Sequence, residues 1–268
     1  MAITGEGLDV KGIGQVLADH VFRVPTNQRS YMWEEEHVTD YWNDILNAML
    51  DPSGGHPDDY FIGTIVLSKT EDDTLEVVDG QQRLATTTII LAAIRDYYHE
   101  QEAGEEKEGT SERANLIQRK YLIDQNEDTL DYEPRLALNE QDDHFFQEHV
   151  VSPPSGRRRE NPLDEKGPKK RMRDSLKNIA TACAVVRNLL RQHISGLRPP
   201  DAQSRLQRVI KYIREHVKVI CVTVPNHENA YTIFETLNDR GLDLTKADLL
   251  KNHLFRTAGR KEKEAQTK

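Results

Sequence analysis

The stretch that most constrains this chain is Leu75–Tyr98, LEVVDGQQRLATTTIILAAIRDYY. Leu75, Val77 and Val78 read as a strand. Asp79-Gly80 is a turn, and beyond it Leu84, Ile89, Leu91, Ile94 and Tyr98 recur at helical spacing. Between strand and helix stand Asp79, Gly80, Gln81, Gln82 and Arg83, none of which a core needs. A glycine there lets the backbone approach a ligand closely. The helix start offers unpaired N–H groups and a partial positive charge. Arg83 adds a fork of donors that matches phosphate. Together they describe a phosphate cradle. The plainer reading is a tight turn carrying a solvated arginine, and the turn alone does not decide between the two.

The flanking sequence supplies more strands and helices. Residues 8–20 read as a short helix through Leu8, Ile13, Val16 and Leu17, and Val21–Val24 as a strand ended by Pro25. A helix from about His37 buries Val38, Tyr41, Trp42, Ile45, Leu46 and Met49. Tyr60–Ser68 is a strand, antiparallel to the Leu75 strand because the connection is short. Residues 100–112 are acidic and poor in apolar residues, as in a mobile linker. In 113–150, a short helix precedes a strand at PRLAL and a helix at QDDHFFQEHV. Helices follow at 174–195 and 201–215. Val217–Val224, VKVICVTV, is the most strand-like run and reads as central in a sheet. A helix over Glu228–Leu237, the loop NDRGLDL and a helix over Lys246–Arg256 close the pattern.

Net charge is −9, which argues against a nucleic-acid binder using its whole surface and leaves room for a local basic patch. Residues 152–173 carry eight Lys/Arg against three Asp/Glu. That segment reads as a solvated loop or as a flexible contact to the DNA backbone through Arg157–Arg173. The two cysteines, Cys183 and Cys221, lie in apolar contexts, so a disulfide framework is not expected and a reducing cytoplasm fits. No apolar run reaches the ~18 residues of a membrane span. The chain has no G-x-x-x-x-G-K-[ST] loop, zinc-spaced Cys/His set or G-x-S-x-G elbow, which excludes three common site types.

Two further polar constellations accompany the turn. In Gln28-Arg29-Ser30-Tyr31-Met32-Trp33 an arginine is interleaved with aromatics, so a phosphate clamp beside a stacking ring is one reading. A loop anchored to the core by its aromatics is the other, and only Gln28 and Arg29 are kept as candidates. In Asn238-Asp239-Arg240-Gly241 through Thr245, glycine suits a left-handed helix end. Asp248, Lys251 and Asn252 then share one helix face. The plainer reading of that segment is a well-capped helix–turn–helix.

VPTNQRSYMW, YFIGTIVLS with VVDGQQRLATTTIILAAI, and FETLNDRGLDLTKADLLKN, in that order, resemble the ParB-like DGQQR domain. That domain forms the N-terminal part of GmrSD-type, modification-dependent (type IV) restriction enzymes and related anti-phage effectors. The resemblance covers residues 10–256. It implies an α+β fold, a small mixed β-sheet of the ParB/sulfiredoxin type surrounded by a largely helical shell. It implies NTP binding (GTP or ATP), hydrolysis with Mg²⁺, and coupling to recognition of modified DNA. It also implies a separate C-terminal HNH-type nuclease domain or subunit as partner, and it allows a homo-oligomer.

By position, Asp79, Gln82 and Arg83 take the catalytic places. Gln28, Arg29, Gly80, Gln81, Asn238, Arg240, Asp248 and Lys251 take nucleotide-binding ones, with Gly241 on the same C-terminal motif. Asp79 holds Mg²⁺ in that reading or simply caps the helix, and Gln82 is a candidate to orient water. The division expected is a nucleotide-binding core over 1–100, a helical insertion over 101–200, a strand and C-terminal motif over 201–256, and a charged tail over 257–268. A nuclease in its own right and a non-catalytic DNA- or nucleotide-binding module are the competing functions.

Overall fold

A computed structural model describes residues 8–50, 58–70, 74–102, 110–126, 129–154 and 172–224. Asn238–Asn252, the expected helices beyond Pro225 and most of Arg157–Arg173 lie outside the described residues. Within them the chain is mixed α+β, a six-stranded mixed sheet with helices around it.

The sheet contains β1 (Leu8–Gly12), β2 (Phe22–Arg23), β3 (Tyr60–Lys69), β4 (Leu75–Asp79), and two strands from farther along, β7 (Leu136–Ala137) and β8 (Val217–Val224). Their order is β1-β8-β3-β4-β2-β7. β3 and β4 are antiparallel, as their short connection predicts. β8 lies between β1 and β3, parallel to β3, so the apolar run VKVICVTV is interior to the sheet. A two-stranded ribbon, β5 (Ile123–Gln125) with β6 (Tyr132–Pro134), stands apart and had no sequence expectation.

Two expectations need correction. Leu8–Gly12 is a strand, and helix α1 (Ile13–Asp19) begins only after it. β1 pairs residue for residue with β8, Leu8 opposite Val222 and Gly12 opposite Lys218, so a distant partner overrides the local helical spacing. The 100–112 stretch is not linker throughout, because helix α3 (Gln81–Glu102) runs into it and α4 (Thr110–Ile117) begins inside it.

Helix α3 runs through the core of the described residues. Leu84, Ala85, Ile89, Ile90, Leu91, Ile94 and Tyr98 are all buried, so it is covered on nearly every side. Its run Thr86-Thr87-Thr88 is a poor helix former on paper. Each hydroxyl donates to the carbonyl four residues back, those of Gln82, Arg83 and Leu84, at 2.8, 2.8 and 2.9 Å. Thr86 also meets the Tyr31 hydroxyl and Thr87 the Tyr41 hydroxyl. Helix α2 (Glu35–Met49) starts two residues before the sequence suggested, because Glu34 and His37 form a reciprocal capping box. It buries Val38, Tyr41, Trp42 and Ile45. Helix α5 (Asp143–Phe146), α6 (Asp174–His193) and α7 (Pro199–Glu215) complete the shell.

Burial has a consequence at α6. The half-buried His193 packs edge-on against Trp42, and its pKa is lowered first by burial and then by Arg205 and Arg208. A lowered folded pKa means that neutral His193 contributes its full stability above the unfolded value near 6.5, and that this contribution is lost as pH falls through the folded value. His20 shifts in the same direction for the same leading reason. The urea midpoint is therefore expected to drop between about pH 7.5 and about pH 5.5. His193→Phe keeps the ring against Trp42 and should shrink that drop; an unchanged drop would assign it to other groups.

Candidate functional site at the start of the long helix

The β4–α3 turn is built by two glycines. Gly80 takes φ +99°, and a Cβ there would meet the Ile65 side chain at 2.8 Å. Gly63, at an irregularity in β3, takes φ +118°, and a Cβ there would lie 2.1 Å from Arg83 Nη1. Both positions therefore need glycine for conformation and for space. Arg83 uses that space: Nη1 donates to the Ile62 carbonyl at 3.0 Å and Nη2 to Asp79 Oδ2 at 3.3 Å. Asp79 and Arg83 are both partly exposed, and the first turn of α3 carries no acidic side chain of its own.

The two glutamines do something sequence reasoning did not anticipate. Both are buried, and both hold the backbone of the 28–33 loop. Gln81 Nε2 donates to the Arg29 carbonyl at 2.6 Å. Gln82 Oε1 accepts from the Met32 and Trp33 N–H groups at 2.9 and 3.3 Å, while its Nε2 donates to the Ser30 carbonyl at 3.2 Å. The amide of Gln82, a candidate to orient water, is thus engaged on both ends by the loop.

From the other side the loop is held by residues that sequence reasoning missed. Asp142, 1% exposed, accepts the Tyr31 N–H at 2.7 Å and the Ser175 hydroxyl at 2.6 Å. Asn139 donates to the Gln28 carbonyl at 3.1 Å. The available signal was the polar run NEQDD before HFF, where Asn139 and Asp142 form an Asx-type turn of their own. A cavity of about 10 Å³, room for about one water, lies among Arg29, Tyr31, Gln81, Gln82, Asn139 and Asp142.

The structure therefore brings Gln28, Arg29, Gln81 and Gln82 together. Arg29 is exposed, and among the described residues its guanidinium has no acidic partner. Arg83 and Asp79 occupy the β3 side of the turn and do not line that cavity. Among the described residues there is no group of three His, Cys, Asp or Glu able to hold a metal ion. Asn238, Arg240, Asp248 and Lys251 lie outside the described residues. No helix of the described residues is long and apolar enough to cross a membrane.

No curated protein matches the chain. A family model, that of the GmrSD restriction endonuclease N-terminal domain, matches residues 11–255 and so takes in all three polar constellations. By that match over nearly its whole length, the chain belongs to the GmrSD restriction endonuclease N-terminal domain family.

Proposed function

We propose that this chain is the nucleotide-binding, NTP-hydrolysing sensor domain of a restriction system that acts on modified DNA, with a ParB-like phosphate site at the β4–α3 turn. One observation carries the reading: a glycine at φ +99° opens a 22-residue helix whose first turn is free of acids and bears a partly exposed arginine. That combination offers a triphosphate N–H groups, a favourable helix end and a charged fork.

The residues divide into three roles. Arg83, with Arg29 at the rim of the loop, offsets phosphate charge. Gln81 and Gln82 are positioning residues that fix the loop carrying Arg29. Asp79 would hold the Mg²⁺ of a bound nucleotide. A single carboxylate beside phosphates suits that ion, which keeps most of its waters, and it does not make a preformed metal centre. Asn238, Arg240, Asp248 and Lys251 belong to the same proposal through the resemblance alone. The DNA cutter would be a separate HNH-type nuclease domain. The competing nuclease reading needs a carboxylate cluster, and among the described residues Asp79 belongs to no group of three His, Cys, Asp or Glu able to hold a metal ion, while Asp248 lies outside the described residues.

The test is phosphate release from GTP and ATP with Mg²⁺, with and without modified DNA. Arg83→Ala removes charged hydrogen bonds worth about 1.5–3 kcal/mol, so turnover at limiting nucleotide should fall roughly tenfold to a hundredfold. DNA should raise the wild-type rate. Absence of both nucleotide binding and turnover in the wild type would return the turn to a structural role.

A further inference from the structure

We infer that the end of α6 and the exposed side of α7 form a docking surface for the phosphate backbone of duplex DNA. The inference rests on the reading above only in taking DNA as the partner. Between positions 187 and 211 the chain carries Arg187, Arg191, Arg198, Arg205, Arg208 and Lys211 against a single acid, Asp201, in a protein of net charge −9. Asp201 is bound to Arg198 at 2.9 Å. Among the described residues Arg187, Arg205 and Arg208 pair with no acid. The contacts of Arg191 to Glu100 at 3.6 Å and of Lys211 to Glu215 at 3.9 Å are long and exposed, which leaves both cations largely available.

The cations are also ordered in space. Arg187 and Arg191 stand one helical turn apart on α6, and Arg205, Arg208 and Lys211 recur every third residue along α7. Arg205 Nη1 donates to the His193 carbonyl at 3.0 Å, which ties the α7 row to the last turn of α6. After burial, Arg205 and Arg208 are what lower the His193 pKa, which puts both guanidinium groups near the last turn of α6. A folded protein keeps such a cluster at a cost in self-repulsion, and a polyanion relieves it. Among the described residues the exposed positions between 187 and 211 include no aromatic on which an unpaired base could stack, so the phosphates of a duplex, read without sequence preference, are the fitting ligand.

The experiment is fluorescence anisotropy of a random-sequence DNA duplex across salt concentrations, with the full chain. Arg208→Gln/Lys211→Gln changes two exposed helical positions that touch neither the β4–α3 turn nor the 28–33 loop. Arg119→Gln/Lys177→Gln removes as much charge elsewhere. Each lost phosphate contact lowers the slope of log K against log salt by about 0.9. The α7 pair should lose close to two units of slope and bind at least tenfold more weakly at about 0.1 M salt, with the control within twofold of wild type. Equal losses in both variants, or no loss in the α7 pair, would overturn the surface while leaving DNA as partner. No binding by the wild type would overturn the surface and the DNA reading together. Turnover without DNA, unchanged in both variants, reports separately on the nucleotide site.

Discussion

Arg95→Met is expected to destabilise the protein by about 3–5 kcal/mol, the range found when one member of a buried charged pair is removed. Arg95 has no solvent exposure and stands in the middle of α3. Its Nε and Nη2 donate to Asp96 Oδ1 at 2.9 and 2.7 Å. Nη1 donates to Gln118 Oε1 at 2.5 Å and to the Val151 carbonyl at 2.7 Å. Nη2 also reaches the Val150 and Ser152 carbonyls at 2.9 and 3.2 Å. One guanidinium thus collects the wide helical turns Gln118–Leu122 and Gln147–Val151 onto the central helix. Methionine fills much of the volume and satisfies none of these acceptors, and Asp96 loses its guanidinium partner. Urea unfolding should show the midpoint falling with an unchanged denaturant slope. Arg95→Met/Asp96→Asn should recover part of the loss, since the neutral amide needs no countercharge. A cost below about 1 kcal/mol would mean that water reaches this interior and replaces the arginine.

Arg95 also shows where the sequence stops being legible. Its spacing from Leu91 and Tyr98 puts it on the apolar stripe of α3, yet a charged residue on a helix is ordinarily assigned to solvent. Beside Asp96, its burial is explained by acceptors distant in the chain, Gln118 and the carbonyls of a segment more than fifty residues away. The same holds for Leu8–Gly12, whose strand state depends on β8 some two hundred residues on. What was legible was local. The change of period at Asp79-Gly80 marked the strand–turn–helix, the short connection fixed β3 against β4, and β-branched density picked out β8. Of the candidate site, the sequence named Gln28, Arg29, Gln81, Gln82 and Arg83 because polar residues crowd turns that a core does not need. It could not say that the glutamines face the loop backbone, because a side-chain amide has donors and acceptors that suit backbone, water or ligand alike. Asp142 was invisible for a related reason. An acid before an apolar run looks like a solvated helix start, whereas here its carboxylate is buried on the Tyr31 N–H and the Ser175 hydroxyl.

Gln82→Leu should cost about 2–4 kcal/mol, and its effect should be concentrated on the 28–33 loop. The leucine side chain fits a buried position but leaves the Met32 and Trp33 N–H groups without an acceptor and the Ser30 carbonyl without its donor. Each unmet group in a covered site costs about 1–3 kcal/mol, reduced where water can enter. Gln82→Glu should fall between leucine and wild type. It keeps an acceptor for the two N–H groups and places a negative charge at a helix start, where it is tolerated, but it turns a donor into a repulsion at Ser30. Amide hydrogen exchange is the direct readout: Met32 and Trp33 should lose protection by tenfold or more, roughly 1.4 kcal/mol of local opening, while Ile90 in the middle of α3 changes less. Trypsin adds a second readout, since the exposed Arg29 becomes a cutting site once the loop lifts. In the proposed function Arg29 would then lose its place beside the turn, so phosphate release should fall along with loop protection. Normal protection at Met32 and Trp33 in the leucine variant would show that Asn139 and Asp142 alone hold the loop, and the two glutamines of the turn would then need a different account.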